Sequence, residues 1–343
     1  MLPIEYLLLF NPFFIIATFI IYYKEEKKRK NEVILFGKEI RNTKKVIYTN
    51  ISIGILVGIL TSLFITLIGV EIDIYILYIY IISIILSFID KRFICMSYGG
   101  SILSIVFILL SDINNSKNIL YLIGIFHLAE GIIIYINSYK NRMPLYLEEN
   151  GEIKAGYYFD SIWVIPIITS VEGFFILFPF LLGYKNLITS GDIKFRTKKS
   201  AINSILYGSS IVLFLFLIQD NKVLLFLLCL YSIVIHELII KINTHNWRDN
   251  RYLCSKNGVR VLDVLDENIF FKPLDTIIEI NNHKVQNIDD IKRIIFIYGK
   301  FYEVKYTDEK DNIKKLNINS CKLNIVPLIN NPNIIAYTDK FRL

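Results

Sequence analysis

Two histidine–carboxylate pairs stand in otherwise apolar stretches of this 343-residue chain, and their spacing decides which chemistry is open to them. The first is His236-Glu237 in "IVIHELIIKINTH". It falls one residue short of His-Glu-x-x-His, where two imidazoles four apart share a helical face around zinc and the intervening Glu acts as general base. Position 240 is Ile240, and the next histidine, His245, lies nine residues on. At about 100° per residue, that is the opposite face of a helix. No Asp in another apolar run supplies a third ligand. The spacing therefore predicts no metal, no cofactor and no catalytic set, and leaves His236 and Glu237 as polar contacts near a helix end. The second pair, His127 and Glu130 in "HLAE", is three apart and shares one face, where each can bond the other or the backbone. Ionisable groups at membrane depth usually face a bundle interior and can mark an ion path. Without an inverted repeat or interrupted helix pair, polar glue between helices is the expectation ahead of transport. Glu172, in the middle of another apolar run, is a further intramembrane carboxylate.

The elements that hold these residues are membrane spans. Hydrophobic residues make up 54% of the chain and the mean hydropathy is +0.47. Apolar runs at 4–23, 46–70, 72–89, 93–110, 119–138, 161–184, 202–218 and 223–240 approach the ~20 residues that cross ~30 Å of hydrocarbon. The first run is too long for a cleavable signal and reads as a retained span. The domain reading is thus 1–245 as a polytopic α-helical membrane bundle and 246–343 as a small soluble domain.

Orientation follows Lys and Arg, which favour the cytoplasmic side. Lys24–Lys45 carries nine of them against four carboxylates, so it reads as a cytoplasmic loop and the N-terminus as outside. The run 161–184 decides the rest. "SIWVIPIITS" and "FFILFPFLLGY" are separated by Val171-Glu172-Gly173 and punctuated by Pro166 and Pro179, which suits a re-entrant or hairpin pair better than one helix. A hairpin leaves only Lys117 and Lys222 outside among 24 Lys and Arg up to Arg251, whereas a single crossing exports nine. The expectation is a bacterial plasma-membrane protein with a cytoplasmic C-terminal domain, touching membrane lipids through its basic segment. Nothing in the basic segment suggests nucleic acid. Of the four cysteines, Cys95 and Cys229 fall in the apolar part and Cys254 and Cys321 in the tail, a distribution without a close-spaced metal pair. In the loop before 161, "LYLEENGEIKAGYYF" places Asn150-Gly151 between two extended runs and predicts a type I′ hairpin.

The tail has its own grammar. "NGVRVLDVL" (Asn257–Leu265) is an extended run, Asn287 caps the helix "IDDIKRIIFI" with Asp290 as its capping-box partner, and "FYEVKYTDEKDNIKKLNI" reads as strand, charged turn, strand. "KPLDTIIEINNHKV" resembles the PDZ pattern K-P-G-D-x-I-x-x-[IV]-N-G-x-x-V at Lys272, Pro273, Asp275, Ile277, Ile280, Asn281 and Val285. Leu274 and Asn282 stand where that pattern has glycine. With "LLLFNPFF", "HLAEGIIIY", "SIWVIPI" and "FPFLLGYK" ahead of it, the whole chain resembles the MinJ-like polytopic PDZ proteins of Gram-positive and clostridial cell division. The resemblance implies a non-enzymatic scaffold that recruits protein partners, among them division-site proteins, by strand addition. It places the peptide groove between Tyr252, Leu253 and Cys254 on one side and Ile291, Ile294 and Ile295 on the other. Alternative readings are an intramembrane protease-like chain or PDZ-bearing regulator of proteolysis, and a membrane transporter.

Overall fold

The computed structural model describes residues 11–332 apart from positions 74, 172–173, 219, 266–269, 309–310, 320–322, 324 and 330–331. Among the described residues, four helices are long and apolar enough to cross a membrane: α2 (Thr43–Ile68), α5 (Ile113–Asn137, with a 3-10 turn to Asn141), α6 (Ile193–Ile218) and α7 (Lys222–Thr244). Two runs expected as full spans are shorter. α3 (Tyr75–Ser87) and α4 (Met96–Leu109) have 13 and 14 residues, about 20 Å at 1.5 Å per residue.

The basic segment is a second difference. α1 (Pro12–Phe36) starts at an Asn11 cap and runs through Lys24–Phe36 without a loop, ending on Gly37 at φ 73°. Its polar end buries Glu25, Lys28 and Glu32. Lys28 Nζ meets Glu25 Oε1 at 2.5 Å, Arg41 pairs with Glu32, and Lys24 pairs with Asp160. Part of the charge expected to face headgroups is therefore neutralised inside the protein. Burial pulls the Lys28 ammonium below its ordinary value, against the nearby Glu25 carboxylate.

The two arms of 161–184 are strands. β1 (Met143–Glu149), β2 (Glu152–Val171) and β3 (Phe174–Ile188) form an antiparallel sheet, and Pro166 faces Pro179 in the register. Asn150 and Gly151 link β1 to β2 with φ of 54° and 78°, the left-handed pair that this dipeptide tolerates. Isoleucine, valine, aromatics and two prolines favour strands over helix in the arms of β2 and β3. Their backbone cannot satisfy itself as a helix does, so it must be covered by protein. α2 does this: Gly54 and Gly58 lie against Val164 and Pro166, so closely that a Cβ on Gly54 would strike the Val164 carbonyl. Ser62 Oγ accepts from Ile168 N at 2.9 Å, and Asn11 Nδ2 donates to Leu177 O at 2.9 Å. α5 and α6 approach in the same manner through Gly124, Gly131 and Gly208.

The C-terminal region is an antiparallel sheet ordered β8-β7-β5-β4-β9, with β6 also on β5. The strands are β4 (Val259–Val264), β5 (Thr276–Ile280), β6 (His283–Lys284), β7 (Phe301–Thr307), β8 (Ile313–Asn319) and β9 (Ile325–Pro327). Helix α8 (Ile288–Tyr298) begins with the complete Asn287–Asp290 capping box. Val261, Ile277, Ile280 and Val304 form its buried centre with Ile291 and Ile294.

This sheet sits on β1–β2. Arg142 Nη2 donates to Asp263 Oδ1 at 2.7 Å, Tyr157 Oη to Leu262 O at 2.6 Å, and Tyr146 Oη to Pro327 O at 2.9 Å.

Candidate functional site

Two places in the fold gather chemistry. The first lies among α4, α5 and α7. His127 projects from α5 and His236 from α7, while Cys95 immediately precedes α4. Cys95 Sγ is 3.5 Å from His127 Nε2 and 3.3 Å from His236 Nε2. All three ligand-type atoms lie within 4.8 Å of one another.

The hydrogen bonds behind each ring fix its tautomer. His127 Nδ1 is 2.7 Å from the Ile123 carbonyl, which can only accept, so Nδ1 carries the proton and Nε2 a lone pair. Tyr98 Oη donates to Glu237 Oε1 at 2.7 Å, which leaves its oxygen to accept from His236 Nδ1 at 3.1 Å. Arg92 Nη1 closes this relay on Glu237 Oε2 at 3.1 Å. Ser97 Oγ lies 3.2 Å from His127 Nε2 and 3.7 Å from Cys95 Sγ, and accepts from Tyr207 Oη at 3.0 Å. As neutral rings, both imidazoles therefore present lone pairs to one sulfur.

The pair His127–Glu130 does not close on itself. His127 bonds the backbone, and Glu130 Oε2 accepts from Ser204 Oγ of α6 at 3.1 Å. Glu172 lies outside the described residues. The fold keeps His236 and Glu237 near a helix end but joins them to His127 and Cys95, a gathering that a search along one helix does not reveal. Three side chains that could hold an ion are thus gathered across the fold, where the spacing along one helix showed no such set.

The second place is the edge of β4. The six residues expected to line a groove are divided. Tyr252 is fully buried, donates to Gly191 O at 2.7 Å and packs edge-on to Tyr157. Leu253 pairs with Lys154 of β2, and Cys254 packs against the helical half. Burial pushes the Cys254 thiol up to about 11, so it is neutral at physiological pH. Arg260 holds this loop by donating to the carbonyls of Asn250, Arg251 and Leu253. Ile291 and Ile294 are core residues of the sheet domain, with Ile295 packed beside them. Tyr252–Cys254 therefore belongs to the seam with the helical half, away from the Ile291–Ile295 face.

What lies along β4 instead is the chain's own β9, antiparallel, with Val261 opposite Pro327, Asp263 opposite Val326 and Val264 opposite Ile325. Ile325 packs with the cluster of Ile291 and Ile294, while Val326 and Leu328 pack with the helical half.

The two departures from the glycine pattern have a common geometry. Leu274 has φ 75° and Asn282 φ 62°, the left-handed region that glycine enters freely. Asn281 beside it has φ 47° and completes the turn between β5 and β6. Asp275 Oδ2 accepts from Lys272 N at 2.8 Å and is buried, which pushes its carboxyl up to about 6.

No family model matches this chain, and no curated protein or solved structure matches it either.

Proposed function

We propose that the chain is a non-enzymatic bacterial plasma-membrane adaptor whose C-terminal domain is PDZ-like and takes up extended segments of partner proteins along β4. The observation that carries this reading is β9: a three-residue strand lies antiparallel on β4 with Ile325 against the cluster containing Ile291 and Ile294. Strand addition draws affinity from main-chain hydrogen bonds and selectivity from alternate side chains. The left-handed Leu274 and Asn282, at the glycine positions of the PDZ pattern, support it further. The distribution of Lys and Arg favours a cytoplasmic position for the domain, where division-site proteins are within reach. On this reading a partner must displace β9 before it binds.

A dye-labelled peptide spanning positions 323–329 should bind saturably to a purified chain ending at residue 322. It should not bind the intact chain, whose slot is filled. No binding to the truncated chain, with β5 and β7 amides still protected from exchange, would sink the strand-docking reading.

A further inference from the structure

The centre at Cys95, His127 and His236 carries an inference independent of the adaptor reading. We infer that these three residues form a zinc site that ties α4, α5 and α7 together, with a fourth coordination position left for water.

The first support is metric. A tetrahedral ion with Zn–S of about 2.3 Å and Zn–N of about 2.0–2.1 Å sets its sulfur and nitrogen ligands about 3.5 Å apart. The two sulfur–nitrogen edges here measure 3.5 and 3.3 Å. Closing the third edge asks only that the two Nε2 atoms come together within a cluster already spanning no more than 4.8 Å.

The second support is the proton accounting. Each imidazole gives its Nδ1 proton away from the centre, one to the Ile123 carbonyl and one to Tyr98. With both rings neutral, two Nε2 lone pairs converge on one thiol proton, the Ser97 hydroxyl being the other donor within reach of His127 Nε2 at 3.2 Å. A cation satisfies both lone pairs and releases that proton from the sulfur, giving a thiolate and two neutral imidazoles.

The third support lies behind the ligands. Zinc-bound histidines usually donate their far nitrogen to a carbonyl or to a carboxylate-linked group, which fixes the ring and raises its basicity. His127 has the carbonyl. His236 has Tyr98, whose hydroxyl leans on the Glu237 carboxylate, itself held by Arg92. Arg92 and Glu237 line an open depression with Ile233, Leu238, Lys241 and Thr244, so the outer end of this relay reaches the surface. A thiolate and Zn²⁺ leave one positive charge, and Glu130 stands one turn along α5 from His127.

This selects soft–borderline ligand chemistry over magnesium or calcium, which prefer oxygen. One ligand at the start of α4 and one each from α5 and α7 also make the ion a clasp, because its loss removes a tie shared by all three.

The test uses the full-length chain, stripped with a chelator, reloaded with Zn²⁺ and desalted before metal analysis. About one zinc should remain per chain, and Co²⁺ loading should give a thiolate-to-cobalt charge-transfer band. Cys95→Ser should abolish the band, and His127→Gln and His236→Gln should each lower retained zinc at least tenfold. Cys229→Ser, at a buried cysteine elsewhere, should leave both readouts unchanged. Because a ligand variant can fail to fold, Tyr98→Phe provides a second arm. It removes the hydroxyl that orients His236 and should weaken zinc binding about 10- to 100-fold. A native chain that keeps no zinc after reloading, or zinc kept equally by the Cys95→Ser and Cys229→Ser chains, would overturn the inference.

Discussion

In the helical half, the polar groups that meet come from positions 95, 97, 98, 127, 207, 236 and 237, and nothing local announces that they will. In the C-terminal sheet, the groups that matter are consecutive: Lys272–Val285 makes a strand, a turn and a second strand, and Asn287 starts the helix that packs on it. The first region draws its order from packing of helices whose glycines let backbones touch; the second draws it from backbone pairing and turn geometry. A side-chain centre can thus be built where water is scarce only if the surrounding packing is rigid. A strand edge, by contrast, can exchange one occupant for another without disturbing what lies behind it.

The contrast can be broken most forcefully at Gly54. A leucine there would drive its side chain into the Val164 carbonyl, which cannot yield as a flexible side chain does. The cost should exceed the ~1–3 kcal/mol of ordinary overpacking, and the β2–β3 arms should become open to protease in purified protein. A Gly54→Leu chain with native protection and melting would show that the hairpin does not need this contact.

A smaller effect belongs to the seam between the halves. Arg142 and the buried Asp263 form a part-buried pair, and removing Arg142 strands the Asp263 charge, at no more than about 3–5 kcal/mol. Arg142→Met should expose 246–258 to proteolysis, while the double change Arg142→Met with Asp263→Leu should recover much of the loss. Equal damage from single and double variants would mean that the pair does not hold the seam.

The smallest effect confines itself to the sheet. The Asp275 carboxyl titrates near 6 when folded, above the usual carboxylate range, because burial penalises its charge. Folding therefore favours the protonated form. The contribution is fully present below about pH 4 and is lost as pH rises through about 6, on the order of 1–2 kcal/mol after solvent screening. The protection of β5 amides, with the intrinsic pH dependence of exchange divided out, should fall across that window, and Asp275→Asn should flatten the dependence. A native profile already flat there would remove Asp275 from the account.

Much of this fold is legible residue by residue. Asn150-Gly151 announces its hairpin, the Asn287–Asp290 box announces α8, and four long apolar runs announce α2, α5, α6 and α7. The arms around Pro166 and Pro179 are harder, since an apolar run has no period to separate strand from helix. Their β-branched and aromatic content, with a proline near the middle of each arm, was the available signal. The strand on β4 was not foreseen: strand addition was expected beside Tyr252–Cys254, and "NGVRVLDVL" reads as an extended run in which nothing names Ile325–Pro327 as its neighbour. The cysteine–histidine centre was missed for a different reason. Periodicity relates residues on one helix, whereas Cys95, His127 and His236 are related by the packing of three. The trace they leave in the sequence is only that each is polar amid apolar neighbours.

The β2–β3 arms also bear on how such a chain can be built. A helix enters lipid with its hydrogen bonds already made, but an isolated strand arm cannot, because its donors and acceptors wait for the opposite arm and for Ser62 and Asn11. α2 with its Gly54–Gly58 face precedes the arms in the chain, and α6 follows them. α2 can therefore complete its backbone hydrogen bonds alone, whereas the arms need each other and the α2 face to complete theirs. In chain order, the glycine face of α2 comes before the arms that pack on it.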